Sequence, residues 1–224
     1  MVAVLAVAVG VLGMGLWLPS HQTKRRLEEI TARLRSSTAS KAFDPAMVAD
    51  LPQPARRFLL HAIRPGAPLA RFVDLRGTAK MKPAPDKDFF ELIWDETLTP
   101  GLGLVWRAKT TKAPPLTIND HYLHDDAAVR VAVLGLVPVA NDTGPDVVRS
   151  SKGRVAAEAL WCPSALLDRP DVRWETVDEE RFRLRQSIEG EEVAMVLAVD
   201  AQRPGDRLHR FDLGRSAHAR HRKA

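Results

Sequence analysis

The hydrophobic period of this chain changes near residue 70, and that change limits the fold more than any other feature. Before it, apolar residues recur at helical spacing. Leu27, Ile30 and Leu34 form one stripe within residues 23–36, with Glu28, Glu29, Arg33 and Arg35 elsewhere on the cylinder. Asp44-Pro45 is a helix start, an N-cap followed by proline at the first helical position. Pro52 ends that helix, and Pro54 opens another that runs through Arg56, Arg57, Leu59, Leu60 and Ile63. Beyond residue 70 the apolar residues alternate, which is the period of a strand with one buried face.

Residues 72–81, 89–98, 102–110 and 116–123 read as four strands, and 129–139 as a fifth. Its core, Val131-Ala-Val-Leu-Gly-Leu-Val-Pro-Val139, is almost continuously apolar and predicts a strand buried on both faces, with Gly135 and Pro138 marking a bend or bulge. The turn cluster Asn141 to Pro145 follows. Ser150 or Ser151 is then positioned to cap a helix reaching Trp161, and Pro163 stops it or opens a further turn. Residues 172–177, 181–188 and 193–199 complete the strands. Helices first and then a meander broken by one helix give an α+β fold with an antiparallel sheet. A strongly curved, half-barrel-like sheet packed with helices is the natural way to bury so many half-apolar strands.

Residues 1–18 are apolar or glycine throughout and end at Trp17-Leu18-Pro19. Eighteen helical residues extend about 27 Å, close to the thickness of a bilayer's hydrocarbon core. The segment therefore predicts a single-pass transmembrane anchor and localisation at the cell membrane. A cleaved signal peptide fits less well, because no basic segment precedes the apolar stretch. Lys24-Arg25-Arg26 lies after it, and the side of the membrane taken by the main domain stays open. The expected organisation is an anchor (1–18), a juxtamembrane helix and linker (19–43), an α+β domain (44–213) and a basic disordered tail (214–224).

The net charge of +5 invites a nucleic-acid reading, yet seven of the basic residues, against two acidic ones, lie from Arg203 onward and account for all of it. The body is neutral and presents no basic face, so nucleic acid is not an expected partner. The single Cys162, beside Trp161 in an apolar setting, excludes an intrachain disulfide and reads as an inert buried thiol.

No nucleophile elbow, zinc-protease helix or phosphate-binding glycine loop is present, so no catalytic residue and no cofactor are assigned. Two histidines and three aspartates fall between Asp120 and Asp126, but strand alternation sends Asp120 and Tyr122 to one face and His121 to the other, which argues against a metal site. Arg107 is placed to meet Asp120 or Tyr122 across neighbouring strands. Arg154 and Glu158 stand one helical turn apart. They are either a solvated surface pair or a carboxylate held in a cleft. Trp161 reads as core more readily than as a ligand platform. The ligand-binding candidates are thus Arg107, Asp120, Tyr122, Glu158 and Trp161.

Several short runs carry a resemblance: Leu51-Pro-Gln-Pro-Ala-Arg-Arg-Phe-Leu, Gly103-Leu-Val-Trp106-Arg-Ala, Leu134-Gly-Leu-Val-Pro-Val139, Gly144-Pro-Asp, and Gly153-Arg-Val-Ala-Ala-Glu158-Ala-Leu-Trp161-Cys-Pro-Ser-Ala-Leu-Leu167. Over about residues 50–205 the chain resembles a family of uncharacterised, membrane-anchored bacterial proteins known only as a domain of unknown function. That resemblance implies further strands after Phe211, where this chain turns instead to Arg, His and Ala, so a truncated sheet is expected beside the alternative of a basic tail. At the level of fold, the expected sheet is similar to lipoprotein-carrier half-barrels. The leading expectation is a hydrophobic or lipid-like ligand held in the sheet, with Arg107 and Glu158 as polar anchors. An acid–base enzyme using Glu158 and a non-catalytic scaffold are the alternatives.

Overall fold

The computed structural model describes residues 20–36, 41–82, 84–112, 114–199 and the backbone of 212–213. Among these, no helix is long and apolar enough to cross a membrane. The expected anchor over 1–18, most of the linker and the basic tail lie outside the described residues.

The chain divides into two compact units, each made of two separate stretches of sequence. Among the described residues the first draws on 20–36 and 72–152, and the second on 41–71, 153–199 and 212–213.

The first unit is one helix on a six-stranded sheet. Helix α1 covers residues 20–34. The strands are β1 (Val73–Met81), β2 (Phe90–Thr99), β3 (Gly103–Thr110), β4 (Leu116–Leu123), β5 (Asp126–Val133) and β6 (Val137–Thr143). They pair antiparallel in sequence order, so β1 and β6 are edges and the sheet does not close into a barrel. The stripe read from the sequence is the contact. Leu27, Ile30 and Leu34 are buried with Val105 of β3 and Leu123 of β4. Burying each such side chain contributes about 1.5–3 kcal/mol, which far exceeds the intrinsic helix propensity of so short a segment. Thr99 Oγ1 donates to the carbonyl of Leu34 at 2.8 Å and satisfies an acceptor at the end of α1. Gly103 lets β3 and β4 approach closely, because a Cβ there would sit 2.1 Å from the carbonyl oxygen of Tyr122.

The second unit holds a 3-10 turn at Pro45–Val48, helix α2 (Gln53–Ala62), 3-10 turns at Ala159–Trp161 and Pro163–Leu166, and strands β7 (Arg173–Thr176), β8 (Arg181–Ile188), β9 (Glu191–Ala198) and β10 (Asp212–Leu213). Asp44 caps as expected, its Oδ1 accepting from the backbone N–H of Ala46 at 2.9 Å. The four strands form a second sheet in the order β10-β9-β8-β7. Phe43, Val48, Leu59, Ile63 and Leu69 form its core, packed by Phe58, Leu167 and Trp174 among others. Phe182 of β8 lies with its ring 5.5 Å from Trp174 and 6.1 Å from Phe58. Helix α3 (Pro145–Glu158) contains the boundary between the units, after Lys152.

Four expectations are corrected. The strands form two separate sheets rather than one meander. The apolar run 131–139 is not one doubly buried strand. Leu134 and Gly135 take positive φ (56° and 71°) and turn β5 back into β6, so that Leu134, Leu136, Val137 and Val139 are exposed. The bulge expected at Pro138 is present, as a register shift where Ala132 faces Pro138. Helix α3 starts at Pro145, right after Gly144 (φ 104°), and not at Ser150 or Ser151, because proline at the first turn has no N–H to leave unsatisfied. Trp161 is 47% exposed rather than core.

Candidate functional site

Residues directly opposite one another in an antiparallel ladder share a face. The registers place Arg76, Asp95, Arg107, Asn119, Arg130 and Asn141 opposite one another, one from each strand, β1 to β6. A single polar row therefore crosses the whole sheet. It lies on the face that carries Val105 and Leu123, and hence on the side of the sheet covered in part by α1. Where α1 leaves the sheet open, two adjoining grooves of about 910 Å³ and 750 Å³ share Arg107, Thr117 and Asn119.

The charges in this row are unevenly compensated. Arg107 Nε donates to Asp95 Oδ2 at 2.9 Å, and both side chains remain partly exposed. Arg130 donates from Nε to Asn141 Oδ1 at 2.8 Å and from a terminal nitrogen to Thr23 Oγ1 of α1 at 2.9 Å. Both partners of Arg130 are neutral, so its positive charge is oriented without being cancelled. Lys24 and Arg26 line the same groove; Arg26 is engaged by Asp126. At the other end, burial alone would raise the Asp74 carboxyl, but hydrogen bonds from Arg35 and Thr97 and the nearby charges of Arg35 and Arg76 outweigh it and hold it below the usual range.

His121 lies on this face beneath α1, opposite Val105 and 2% exposed, with Nε2 3.5 Å from Asp126 Oδ2. Burial pushes the imidazole below its ordinary pKa, with Asp126 pulling partly the other way. Among the described residues no three histidine, cysteine or acidic side chains gather as metal ligands.

The other residues singled out from the sequence do not join this row. Asp120 stands opposite Trp106 and Tyr122 opposite Leu104, so both point to the face away from Arg107, and the register separates the trio. Glu158 and Trp161 belong to the second unit. There Glu158 Oε1 accepts from Arg154 Nε at 2.8 Å, with side-chain exposures of 16% and 26%, so the pair is half-buried and not a solvated one. Cys162 is buried, its Sγ donating to the carbonyl of Ala70 at 3.5 Å, and burial raises its thiol pKa. A buried thiol with a raised pKa is a poor nucleophile.

Sequence reasoning missed Asn119, Arg130 and Asn141. The signal was the turn. With His124 and Asp125 both at positive φ, Leu123 falls opposite Asp126, and Asn119 is then necessarily opposite Arg130.

Compared with known proteins, residues 41–223 match a family described as a family of unknown function (DUF6544). The chain belongs to that family. No curated protein and no solved structure matches it. The match includes Arg107, Asn119 and Arg130 and begins after α1, so the family segment carries the polar row while Thr23 is supplied from outside it.

Proposed function

We propose that the open face of the six-stranded sheet binds a small anionic amphiphile, of the fatty-acid or lysophospholipid class. The sheet then serves as a half-barrel-like floor, and the apolar stretch 1–18 holds the chain at a membrane. The observation that carries this reading is the polar row, in which Arg107 and Arg130 flank Asn119. Their Cα atoms are two strands apart, about 10 Å at the usual strand spacing, and both side chains are long enough to converge on one carboxylate or phosphate above Asn119. Neutral partners on Arg130 leave its charge available to such an anion. Leu136, Pro138 and Ala140 line the larger groove at the β5–β6 end and supply an apolar surface for a tail. This is the usual mixture of an apolar wall with a few converging polar groups.

An acid–base enzyme centred on Glu158 is the second reading; among the described residues it rests on the half-buried Arg154 pair, and pairs at this spacing are common in purely structural helices.

The test is calorimetric titration of the detergent-solubilised chain with a medium-chain fatty acid and, in parallel, the alcohol of equal length. The acid should bind and the alcohol should bind far more weakly. A charge-assisted hydrogen bond contributes about 1.5–3 kcal/mol, so the double substitution Arg107→Gln, Arg130→Gln should cost the acid roughly a hundredfold or more while leaving the alcohol unchanged. Equal binding of acid and alcohol by the parent chain would sink the proposal.

A further inference from the structure

The β5–β6 hairpin departs from the other hairpins of this protein in one respect. Among the described residues three hairpin turns place a non-glycine residue at positive φ: His124-Asp125, Leu134-Gly135 and Glu189-Gly190. Two of them present polar side chains there, as turns in water do. The third puts a leucine in the left-handed region, where a bulky side chain is sterically disfavoured, and leaves it 60% exposed. Leu136 (42%), Val137 (46%) and Val139 (62%) continue the exposure, so four of the six residues from Leu134 to Val139 offer apolar surface to solvent. The bulge between β5 and β6 sets Val139 opposite no partner, since Val131 pairs with Ala140 and Ala132 with Pro138. Scattered exposed leucines are ordinary, but a contiguous apolar tip held in an unfavourable conformation marks a contact surface.

The surroundings identify the contact. Ser20 Oγ donates to the carbonyl of Gly135 at 2.7 Å, which ties the hairpin tip to the first described residue of α1. The sequence immediately before it, residues 1–18, is apolar and uncharged. On the first turns of α1, Lys24 and Arg25 are exposed and cationic. Apolar side chains beside a basic cluster, at the point where an uncharged apolar stretch joins the domain, match the boundary between acyl chains and anionic headgroups. A second copy of the chain pairing through edge strand β6 fits less well, because Pro138 has no N–H to donate along that edge.

We infer that the tip of the β5–β6 hairpin, Leu134 to Val139, enters the interfacial region of an anionic phospholipid bilayer beside the N-terminal stretch. The inference rests on the membrane attachment proposed above and adds a second contact to it. That contact also places the Leu136 end of the larger groove at the bilayer surface, where an amphiphile would enter or leave.

The experiment uses the full chain in vesicles of equal parts phosphatidylcholine and phosphatidylglycerol, with an environment-sensitive NBD fluorophore on Leu136→Cys in a Cys162→Ser background. The same label on Phe89→Cys, exposed at the β1–β2 hairpin, serves as the reference. Flotation of the vesicles first reports attachment. Attached protein should then show a blue-shifted label at 136, quenched several-fold more by nitroxide-bearing lipids than by aqueous iodide, with the reverse at 89. Protein that does not float with the vesicles removes the attachment and this inference together. Protein that floats while position 136 is quenched by iodide as strongly as 89 overturns the hairpin contact alone. A label at 136 shielded from both quenchers would mean that protein covers the tip, and that also overturns it.

Discussion

Two glycine-to-alanine substitutions should move stability in opposite directions, and together they test how the first sheet is assembled. At Gly103 an added Cβ would lie 2.1 Å from the Tyr122 carbonyl oxygen, 3.1 Å from its carbonyl carbon and 3.4 Å from Leu123 Cα. All three are backbone atoms of β4, so no side chain can rotate away. A carbon and an oxygen in non-bonded contact need about 3.3 Å, which means β4 must retreat by roughly 1.2 Å from β3 at this pair. Leu123 is part of the cluster beneath α1, so the retreat also disturbs the helix contact. Overpacking of this kind costs about 1–3 kcal/mol, and a backbone clash belongs at the upper end; the stiffer unfolded chain returns about 0.4–1 kcal/mol. At Gly153, inside α3, a Cβ meets nothing within 4 Å. Alanine there gains about 0.5–1 kcal/mol of helix stability. For a chain of this size one kcal/mol corresponds to about 2–4 °C, so Gly103→Ala should melt roughly 5–10 °C lower and Gly153→Ala about 1–4 °C higher, followed by circular dichroism in one detergent. A Gly103→Ala protein melting within about 1 °C of the parent would refute the argument, since the close approach of the strands would then not constrain the residue.

Two further outcomes follow from titrating and paired groups. His121 is held below its ordinary pKa of about 6.5 by burial, so the native state binds fewer protons there than the unfolded state. Stability is therefore greatest above that value and is lost as pH falls from about 7 through 6, until the native imidazole itself is protonated. Melting temperature against pH should fall in this window for the parent and stay flat for His121→Asn; an equal slope in both would refute the assignment. Arg169, only 12% exposed, donates to Asp171, to Gln186 Oε1 at 3.1 Å and to the Ser187 carbonyl at 3.2 Å, while Gln186 Nε2 donates to the Ala156 carbonyl at 2.8 Å. Arg169→Ala leaves a half-buried carboxylate and a buried amide without their donor and should cost about 2–4 kcal/mol by urea denaturation. Burial alone would raise the Asp171 carboxyl, but the hydrogen bond and charge of Arg169, together with the backbone N–H groups of Ser187 and Asp171, hold it below the usual range, so the stability from these contacts is present above pH about 4 and lost below it. The variant should lose less on acidification than the parent, and an identical acid slope would exclude the pair as its source.

Strand positions were legible because alternation and turn residues agree. Seven of the eight segments read as strands match observed ones to within a few residues, since each is bounded by Gly, Pro, Asp or Asn. The eighth failed where apolar content and turn chemistry conflict. Leu134 is a poor turn residue, and its sequence neighbours are all apolar, so periodicity had nothing to mark the reversal between β5 and β6. The division into two sheets was not legible either, because hydrogen-bond partners across a meander are set by tertiary packing and not by composition. At the site, residue type identified Arg107, whereas its neighbours depended on register. Alternation alone separates His121 from Asp120, but only the exact pair Leu123–Asp126 brings Arg130 to Asn119. Trp161 misled for a physical reason: at the end of a helix followed by proline, an aromatic lies on whichever side the 3-10 turn rotates it.

The interleaving of the two units has a consequence for synthesis. Residues 41–71 are translated between the two stretches of the first unit, yet their core partners Leu167 and Trp174 come about a hundred residues later. At typical translation rates of about 5–20 residues per second, Phe43, Val48, Leu59, Ile63 and Leu69 wait roughly 5–20 s without the surfaces that will cover them. During that interval the strands of the first sheet are themselves being synthesised, while the second hydrophobic cluster is half made. Apolar surface exposed in this way is prone to aggregate, so the order of synthesis, and not only the stability of the finished fold, bears on how much protein is recovered.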